Sequence, residues 1–145
     1  MGAWSARRDA AALSTTNDFM TLVSASARRA YVYLVEFAGM GTASAANSVQ
    51  VARSSGGVTG GGAITAEPIG GEQAAVASVV NTTWTTQPTL DDVVKLLGVN
   101  ANGGINRLQT TSPRAMIEVR NAATLSLRSA TGTSTVSGYL EWDEP

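Results

Sequence analysis

The sequence predicts a mainly β fold: an antiparallel β-sandwich, a jelly roll or a barrel, with one short helix and an extended N-terminal arm. Apolar and polar residues alternate over most of the chain after residue 18, which is the pattern of half-buried strands. Turn signals separate these stretches at intervals of about 8–12 residues, as in sandwiches and barrels. The length of 145 residues suits a single domain with one hydrophobic core.

Residues 1–18 differ in composition from the rest and are interpreted as an arm that precedes a single domain over residues 19–145. Small residues dominate this segment, and Trp4 is its only aromatic side chain. A helix over residues 5–13 would be marginal without partners, because its apolar face is mostly alanine. We expect the arm to order on a neighbouring subunit, and simple disorder is the alternative.

The strongest strand prediction covers residues 30–37, which are almost all aromatic, β-branched or otherwise apolar. Strict alternation places four side chains on one face and three on the other, so we expect a central strand covered on both sides. The first face carries Tyr31, Tyr33, Val35 and Phe37, and the second carries Val32, Leu34 and Glu36.

Further strands are predicted along the rest of the chain. The last of them places Val136, Gly138, Leu140 and Trp142 on one side. Five glycines between residues 56 and 62 predict a hairpin tip, because such glycine density does not occur inside a regular strand. The remaining strand predictions are residues 19–23, 47–53, 63–67, 81–86, 105–110, 114–120, 124–128 and 135–142.

Residues 89–97 carry the signals of the one predicted helix. Thr89 is a candidate N-cap, Asp92 would lie in the first turn beside the positive end of the helix dipole, and Gly98 could close the C-terminus. Asp91 and Asp92 are the most enzyme-like pair in the chain. Adjacent helical residues point about 100° apart, so dipole stabilisation explains these carboxylates better than catalysis does.

The composition argues against catalysis and against a cofactor or metal site. Cysteine and histidine are both absent, which removes thiolate ligands, imidazole ligands and the commonest general base. The glycine-rich run lacks the Lys-Ser/Thr pair of a P-loop. At the end of the sequence, Asp143 and Glu144 are interpreted as a solvated tail. We therefore expect a protein that is not an enzyme.

The charge pattern suits a protein that works within an assembly. Charged residues make up 14% of the chain and the net charge is −1, a poor surface for a lone soluble monomer. The basic residues do not cluster as they would in a protein that binds nucleic acid. No targeting segment or membrane-spanning segment is evident. Nine of the ten basic residues are arginine, which fits interfaces, although genome composition would explain the bias equally well.

The tryptophans leave a second class of function open. If Trp84 or Trp142 were exposed, either ring could stack on a sugar, as in a carbohydrate-binding sandwich. Large aromatic side chains more often fill a core or a subunit interface, and we favour that interpretation.

Several stretches together resemble the head decoration, or cement, proteins encoded beside the major capsid gene of tailed bacteriophages. The similarity covers residues 30–145 and depends on pattern and composition. It leaves the first 30 residues and the helix at 89–97 unaccounted for. The matching stretches are residues 41–47 (GTASAAN), 49–53 (VQVAR), 60–62 (GGG), 63–68 (AITAEP), 131–132 (TG) and 138–144 (GYLEWDE).

The resemblance implies a structural virion protein, usually a homotrimer, that binds the major capsid protein on the outside of the head and clamps neighbouring subunits. A tail, baseplate or fibre-tip component is the main alternative. On this hypothesis the arm and the two arginine pairs supply the contacts with partners. The residues expected at the partner interface are Trp4, Arg7, Arg8, Arg28 and Arg29.

Overall fold

A computed structural model describes residues 2–56, 61–70 and 76–145, and 63% of these residues form strands. Two antiparallel sheets form a sandwich, which confirms the predicted fold class and favours the sandwich over a closed barrel. The strands within the described ranges are β1 (Gly2–Ala12), β2 (Asp18–Val23), β3 (Ala30–Gly39), β4 (Ala46–Ser55), β5 (Gly62–Ile64), β6 (Glu67–Pro68), β7 (Val79–Thr82), β8 (Thr89–Asn100), β9 (Ile105–Gln109), β10 (Ile117–Val119), β11 (Thr124–Thr131) and β12 (Thr135–Glu144).

Each sheet mixes strands from distant parts of the sequence. Sheet A has the order β10-β3-β12-β1-β6, and β9 also pairs with β3. Sheet B has the order β5-β7-β2-β11-β4-β8. Every described strand pairing is antiparallel, so the inner face of each sheet collects every second residue of its strands.

The core lies between the inner faces of the two sheets. The predicted inner face of β12 is confirmed, because Val136, Gly138, Leu140 and Trp142 are all buried. In sheet B, β2, β4 and β11 supply most of the opposing apolar side chains. Burial of these side chains is the main force that holds the sheets together.

A bulge in β3 changes the faces that strict alternation predicts. The pairing of β3 with β12 shifts register between Glu141 and Trp142, so Tyr33 has no direct partner on β12. Tyr31 and Tyr33 consequently lie on the outer face, while Val35 and Phe37 are fully buried inside. The prediction that these four residues share one face is wrong, because the bulge inverts the alternation between them.

The predicted N-terminal arm is also corrected, since β1 is an interior strand of sheet A. It pairs with β12 over most of its length and with β6 on its other side. Trp4 lies opposite Trp142 and Ala6 opposite Leu140, and all four side chains are buried. The apolar residues Trp4 and Ala6 alternate with the polar residues Ser5 and Arg7, which is the pattern of a strand with one face in the core. The strand with which they pair, β12, is distant in sequence.

Residues 89–97 form most of strand β8 and not the predicted helix. The strand pairs with β4 from Thr89 to Asn100, with bulges on the β8 side at two places. Val93 and Val94 favour an extended backbone, and pairing with β4 outweighs the helix-capping signals. Within the described ranges the helical structure is a single 3₁₀ turn at Pro113–Ala115, and no helix there could span a membrane.

The segment around the glycine-rich run lies only partly within the described residues. The predicted hairpin tip at residues 56–62 includes 57–60, which fall outside them. The strand predicted at 63–67 divides into β5 and β6, which join different sheets. Pro68 belongs to the two-residue strand β6 beside β1, where its lack of an N–H donor is tolerated at an edge.

A buried polar cluster lies on the outer face of sheet B, beside the segment that leads from β7 to β8. Asp18 is buried, pairs with the Arg128 Nε at 2.7 Å, and accepts hydrogen bonds from the hydroxyls of Thr21 and Ser126. The Trp84 indole donates to the Thr21 hydroxyl at 2.8 Å. These bonds fix the connection that carries the chain from one edge of sheet B to the other.

Candidate interaction surface

Two of the five residues expected at a partner interface, Trp4 and Arg8, make contacts within the folded chain. The Trp4 side chain is 7% exposed and belongs to the core. The Arg8 guanidinium lies 4.8 Å from the ring centroid of Phe19 and donates to the Phe19 carbonyl oxygen. Burial lowers the pKa of Arg8. Trp4 is therefore not presented for docking as the arm hypothesis requires, whereas Arg8 is only half-buried and lines a surface depression.

The other three predicted residues are exposed. Arg7 projects outward from β1, and its Nε lies 2.5 Å from an Asp9 carboxylate oxygen, an interaction that raises the pKa of Arg7. Arg29 precedes β3 and pairs with Glu118 of β10 at 2.8 Å. Arg28 lies in the turn before it. Arg7 and Arg29 thus belong to the outer side of sheet A, whereas Arg28 stands apart in a turn.

The outer side of sheet A carries all three tyrosines of the chain, each half-buried. Tyr139 lies opposite Glu36 in the register between β12 and β3, and Tyr31 lies opposite Asp143. We call this surface the tyrosine face. It comprises Tyr31, Tyr33, Tyr139, Glu36, Glu141 and Asp143, with Arg7, Asp9, Arg29, Arg107 and Glu118 around it.

Two tyrosines of this face, Tyr33 and Tyr139, remain neutral hydrogen-bond donors. The Tyr139 hydroxyl donates to a Glu141 carboxylate oxygen at 2.7 Å. Burial, together with the nearby carboxylate of Glu141, raises the pKa of both Tyr33 and Tyr139. Burial also raises the pKa of Asp143. At neutral pH the surface therefore combines phenol donors with carboxylate acceptors at its centre.

A shallow depression of about 620 Å³ indents the face where β1, β3 and β12 meet. It is open to solvent, and Arg7 and Asp9 lie on one side of it with Glu36 on the other. Arginine, tyrosine and methionine are enriched at protein interfaces, and this depression holds all three. The lining residues are Arg7, Asp9, Glu36, Ala38, Met40, Ser137, Gly138 and Tyr139.

The sequence alone does not predict the tyrosine face, because both faces of β3 are expected to be covered and Tyr31 and Tyr33 are expected to share a face with Val35 and Phe37. One signal was available: if Val136, Gly138, Leu140 and Trp142 face inward, then Tyr139 must face outward. The bulge that turns Tyr31 and Tyr33 outward leaves no mark in the local sequence.

The acidic residues singled out from the sequence lie in separate environments in the described chain. Asp91 accepts a hydrogen bond from the Ser55 hydroxyl at 3.0 Å, which holds it against β4. Glu144, expected to be a solvated tail residue, is 1% exposed instead. Across residues 2–56, 61–70 and 76–145, no group of three acidic side chains is placed to hold a metal ion.

A second exposed feature is the outer edge of β8. This strand ends the order of sheet B and pairs with β4 alone among the described strands. Val93 is 51% exposed and Leu96 is 55% exposed. Only one paired position, Lys95, separates these two large apolar residues along the strand. An edge strand of this kind presents unpaired backbone donors and acceptors as well as apolar side chains.

Comparisons with known proteins do not place the chain in a family. No protein-family model, no curated protein and no solved structure matches it.

Proposed function

We propose that the protein is a structural component of a virion, a decoration protein that binds the major capsid protein on the outside of a phage head as a homotrimer. The observation that carries this proposal is the tyrosine face, a broad surface of phenol and carboxylate groups flanked by arginines. The contacts expected from such a surface are those of a protein interface, and not those of an enclosed small-molecule site.

Three further observations support a structural role. The chain has few charged residues and neither cysteine nor histidine, so it is poor in groups for catalysis. The described fold is a sandwich that could hold docking residues on a rigid scaffold. The resemblance to cement proteins spans residues 30–145, which include all the tyrosines. A tail or baseplate component would share these properties, and its place in the virion distinguishes it.

Of the two tryptophans that suggested a carbohydrate-binding alternative, only Trp84 is partly exposed. Trp142 is fully buried in the core, where its ring cannot stack on a sugar. Trp84 is half-buried, and its indole N–H is already engaged by Thr21. We therefore retain the capsid proposal.

The proposal is tested by co-sedimentation of the purified protein with heads that lack it. We expect saturable binding of the wild type, and a reduction of at least about tenfold in affinity for Tyr139→Ala, since tyrosines at interface centres are often worth 2 kcal/mol or more. Immunogold labelling of virions then distinguishes head from tail.

Arg114→Ala serves as the matched control, because Arg114 is exposed in the 3₁₀ turn, outside the tyrosine face. Circular dichroism and thermal melting establish that each variant folds. Binding that is equal for Tyr139→Ala and wild type would reject the tyrosine face as the docking surface. No binding of the wild type to heads would reject the capsid proposal itself.

A further inference from the structure

Along the exposed edge of β8, apolar and charged residues are arranged symmetrically about Val93. This order is seen when only the residues that pair with β4 are counted and the extra residues of the two bulges are left out. In the register with β4, Val93 lies opposite Ala52. On one side of it the next paired positions hold Lys95 and then Leu96. On the other side they hold Asp92 and then Leu90.

Two residues of β8 fall outside this paired series. The register shifts between Val51 and Ala52 and again between Arg53 and Ser54, which leaves Val94 and Asp91 as the extra residues. Along the sheet, the order Leu96, Lys95, Val93, Asp92, Leu90 is therefore evenly spaced. Read from either end, it places a leucine, then a charged residue, then the central valine.

We propose that β8 pairs antiparallel with β8 of a second copy of this chain, about a twofold axis at Val93. This arrangement places Val93 opposite its own counterpart. It places Lys95 opposite Asp92 of the second copy, and Asp92 opposite the second Lys95. The two leucines are also matched, Leu96 against Leu90, so apolar and charged positions agree across the whole interface.

The charges at this edge are available for such a contact. Neither Lys95 nor Asp92 has an ion-pair partner among the described residues. Lys95 is also the sole lysine of the chain. A cation on an exposed edge opposes indiscriminate strand pairing. Here it favours one register, because a slip by one paired position places Lys95 opposite Val93 or Leu90, which are apolar.

The pairing would extend sheet B across the axis into one continuous sheet of two copies. Val93 and Leu96, now largely exposed, would be covered by the same residues of the partner. The edge ends at Gly98, whose carbonyl oxygen accepts a hydrogen bond from the Asn106 side chain. The proposed interface therefore runs from Thr89 to Leu97.

This inference is independent of the capsid proposal, because it concerns the self-association of the purified chain. A contact with twofold symmetry produces a dimer by itself. If another surface forms trimers, the β8 contact joins one trimer to the next.

A cysteine cross-link tests the register directly, since the native chain has no cysteine. Val93→Cys places two thiols opposite each other at the twofold axis, within the Cα separation that a disulfide requires. We expect mild oxidation to convert this variant to a covalent dimer. Ile105→Cys is the control, because Ile105 is 60% exposed on β9 and lies outside the edge.

Charge exchange provides a second test that does not depend on oxidation. Lys95→Asp places two acidic residues opposite each other on both sides of the central Val93 pair. We expect it to weaken self-association, measured by sedimentation velocity over a concentration series, and the double variant Asp92→Lys/Lys95→Asp to restore it. Recovery in the double variant identifies pairing between copies, because the reversed charges match again only across the twofold axis.

The proposal is overturned if the wild type stays monomeric at all concentrations, or if Val93→Cys forms no more covalent dimer than Ile105→Cys. A trimer that yields no cross-link at Val93 also rejects the β8 contact. That last result would leave the proposed attachment to capsids intact.

Discussion

Gly138 is the position where a single methyl group would disturb the core most directly. It lies on the inner face of β12, and a Cβ atom built on it would come within 2.6 Å of Phe19 and 2.9 Å of Phe37. Those two rings pack edge to face with centroids 5.4 Å apart. Both are essentially fully buried, so they have little room to move.

We expect Gly138→Ala to lower the free energy of unfolding by about 1–3 kcal/mol, the usual cost of overpacking a tight core. Urea denaturation measures the difference. Gly98→Ala is the matched control within a strand, because its nearest neighbour would be the Asn106 side chain at 4.0 Å. We expect a change there within about 0.5 kcal/mol. Equal effects of the two substitutions would contradict the packing described around Gly138.

The inward face of Gly138 could be predicted from the alternation of β12, but its contact with Phe19 could not. That contact depends on how sheet B lies over sheet A, and no local pattern encodes it. The outward orientation of Tyr31 and Tyr33 could not be predicted either, again because it depends on contacts between distant strands. Their sequence neighbours alternate regularly, and only the pairing of β3 with β12 introduces the bulge that turns them outward.

At the scale of elements, Glu144 joins the end of β12 to the segment that leads into β7. Its carboxylate accepts hydrogen bonds from the backbone N–H groups of Ala77 at 3.0 Å and Ser78 at 2.8 Å, and from the Trp142 indole at 3.1 Å. Burial by itself would raise the pKa of Glu144. The donors at Ser78, Ala77 and Trp142 outweigh that effect and hold its pKa below the ordinary value.

A lowered pKa in the folded state means that Glu144 stabilises the fold above its unfolded pKa of roughly 4.3. This contribution is lost as the pH falls through the folded pKa. We expect Glu144→Gln to lower the free energy of unfolding by about 1–3 kcal/mol at pH 7, because a neutral amide is a weaker acceptor for buried donors. The deficit should shrink as the pH approaches the folded pKa. Urea titrations across the acidic range measure both effects.

Glu67→Gln provides the control for this pH dependence, because Glu67 lies in an exposed strand and its side chain makes no hydrogen bond in the described structure. We expect its unfolding curve to follow the wild type at every pH. If the Glu144→Gln deficit stayed constant down to the acid limit, ionisation of Glu144 would not be its source.

Strand β8 shows why element type was harder to predict than element position. The sequence located a regular segment at residues 89–97 and assigned it to a helix. The capping residues and the acidic first turn are local signals, whereas the pairing partner β4 lies about 40 residues earlier in the chain. Pairing along the full length of a neighbouring strand supplies more hydrogen bonds and contacts than a short exposed helix would retain.

At the scale of the whole molecule, sheet A brings together the N-terminal and C-terminal strands. Gly2 lies opposite Glu144 and Ala12 opposite Thr135, so β1 and β12 pair along nearly their entire length. The composition and alternation predicted the sandwich itself. They could not predict the pairing of β1 with β12, because the sequence around Trp4 is too rich in small residues to distinguish a strand from an arm.

Removal of residues 1–12 distinguishes an interior strand from a detachable arm. Loss of the buried Trp4 side chain alone is expected to cost about 3–5 kcal/mol. Loss of the whole strand also exposes one edge of β12 and removes the strand with which β6 pairs, and the total approaches the roughly 5–15 kcal/mol of stability that is typical of a domain. We expect the truncated chain to lack a cooperative urea transition and a native circular dichroism spectrum.

The control keeps the strand and removes only its outward charges. Arg7→Ser/Asp9→Ser deletes an exposed ion pair of β1, and solvent-exposed ion pairs contribute little to stability. We expect this variant to unfold cooperatively near the wild-type midpoint. A truncated chain that did the same would show that residues 1–12 are dispensable for folding. Failure of the truncated chain alone would show that the fold depends on Trp4 and the pairing of β1, and that residues 1–12 are not a detachable arm.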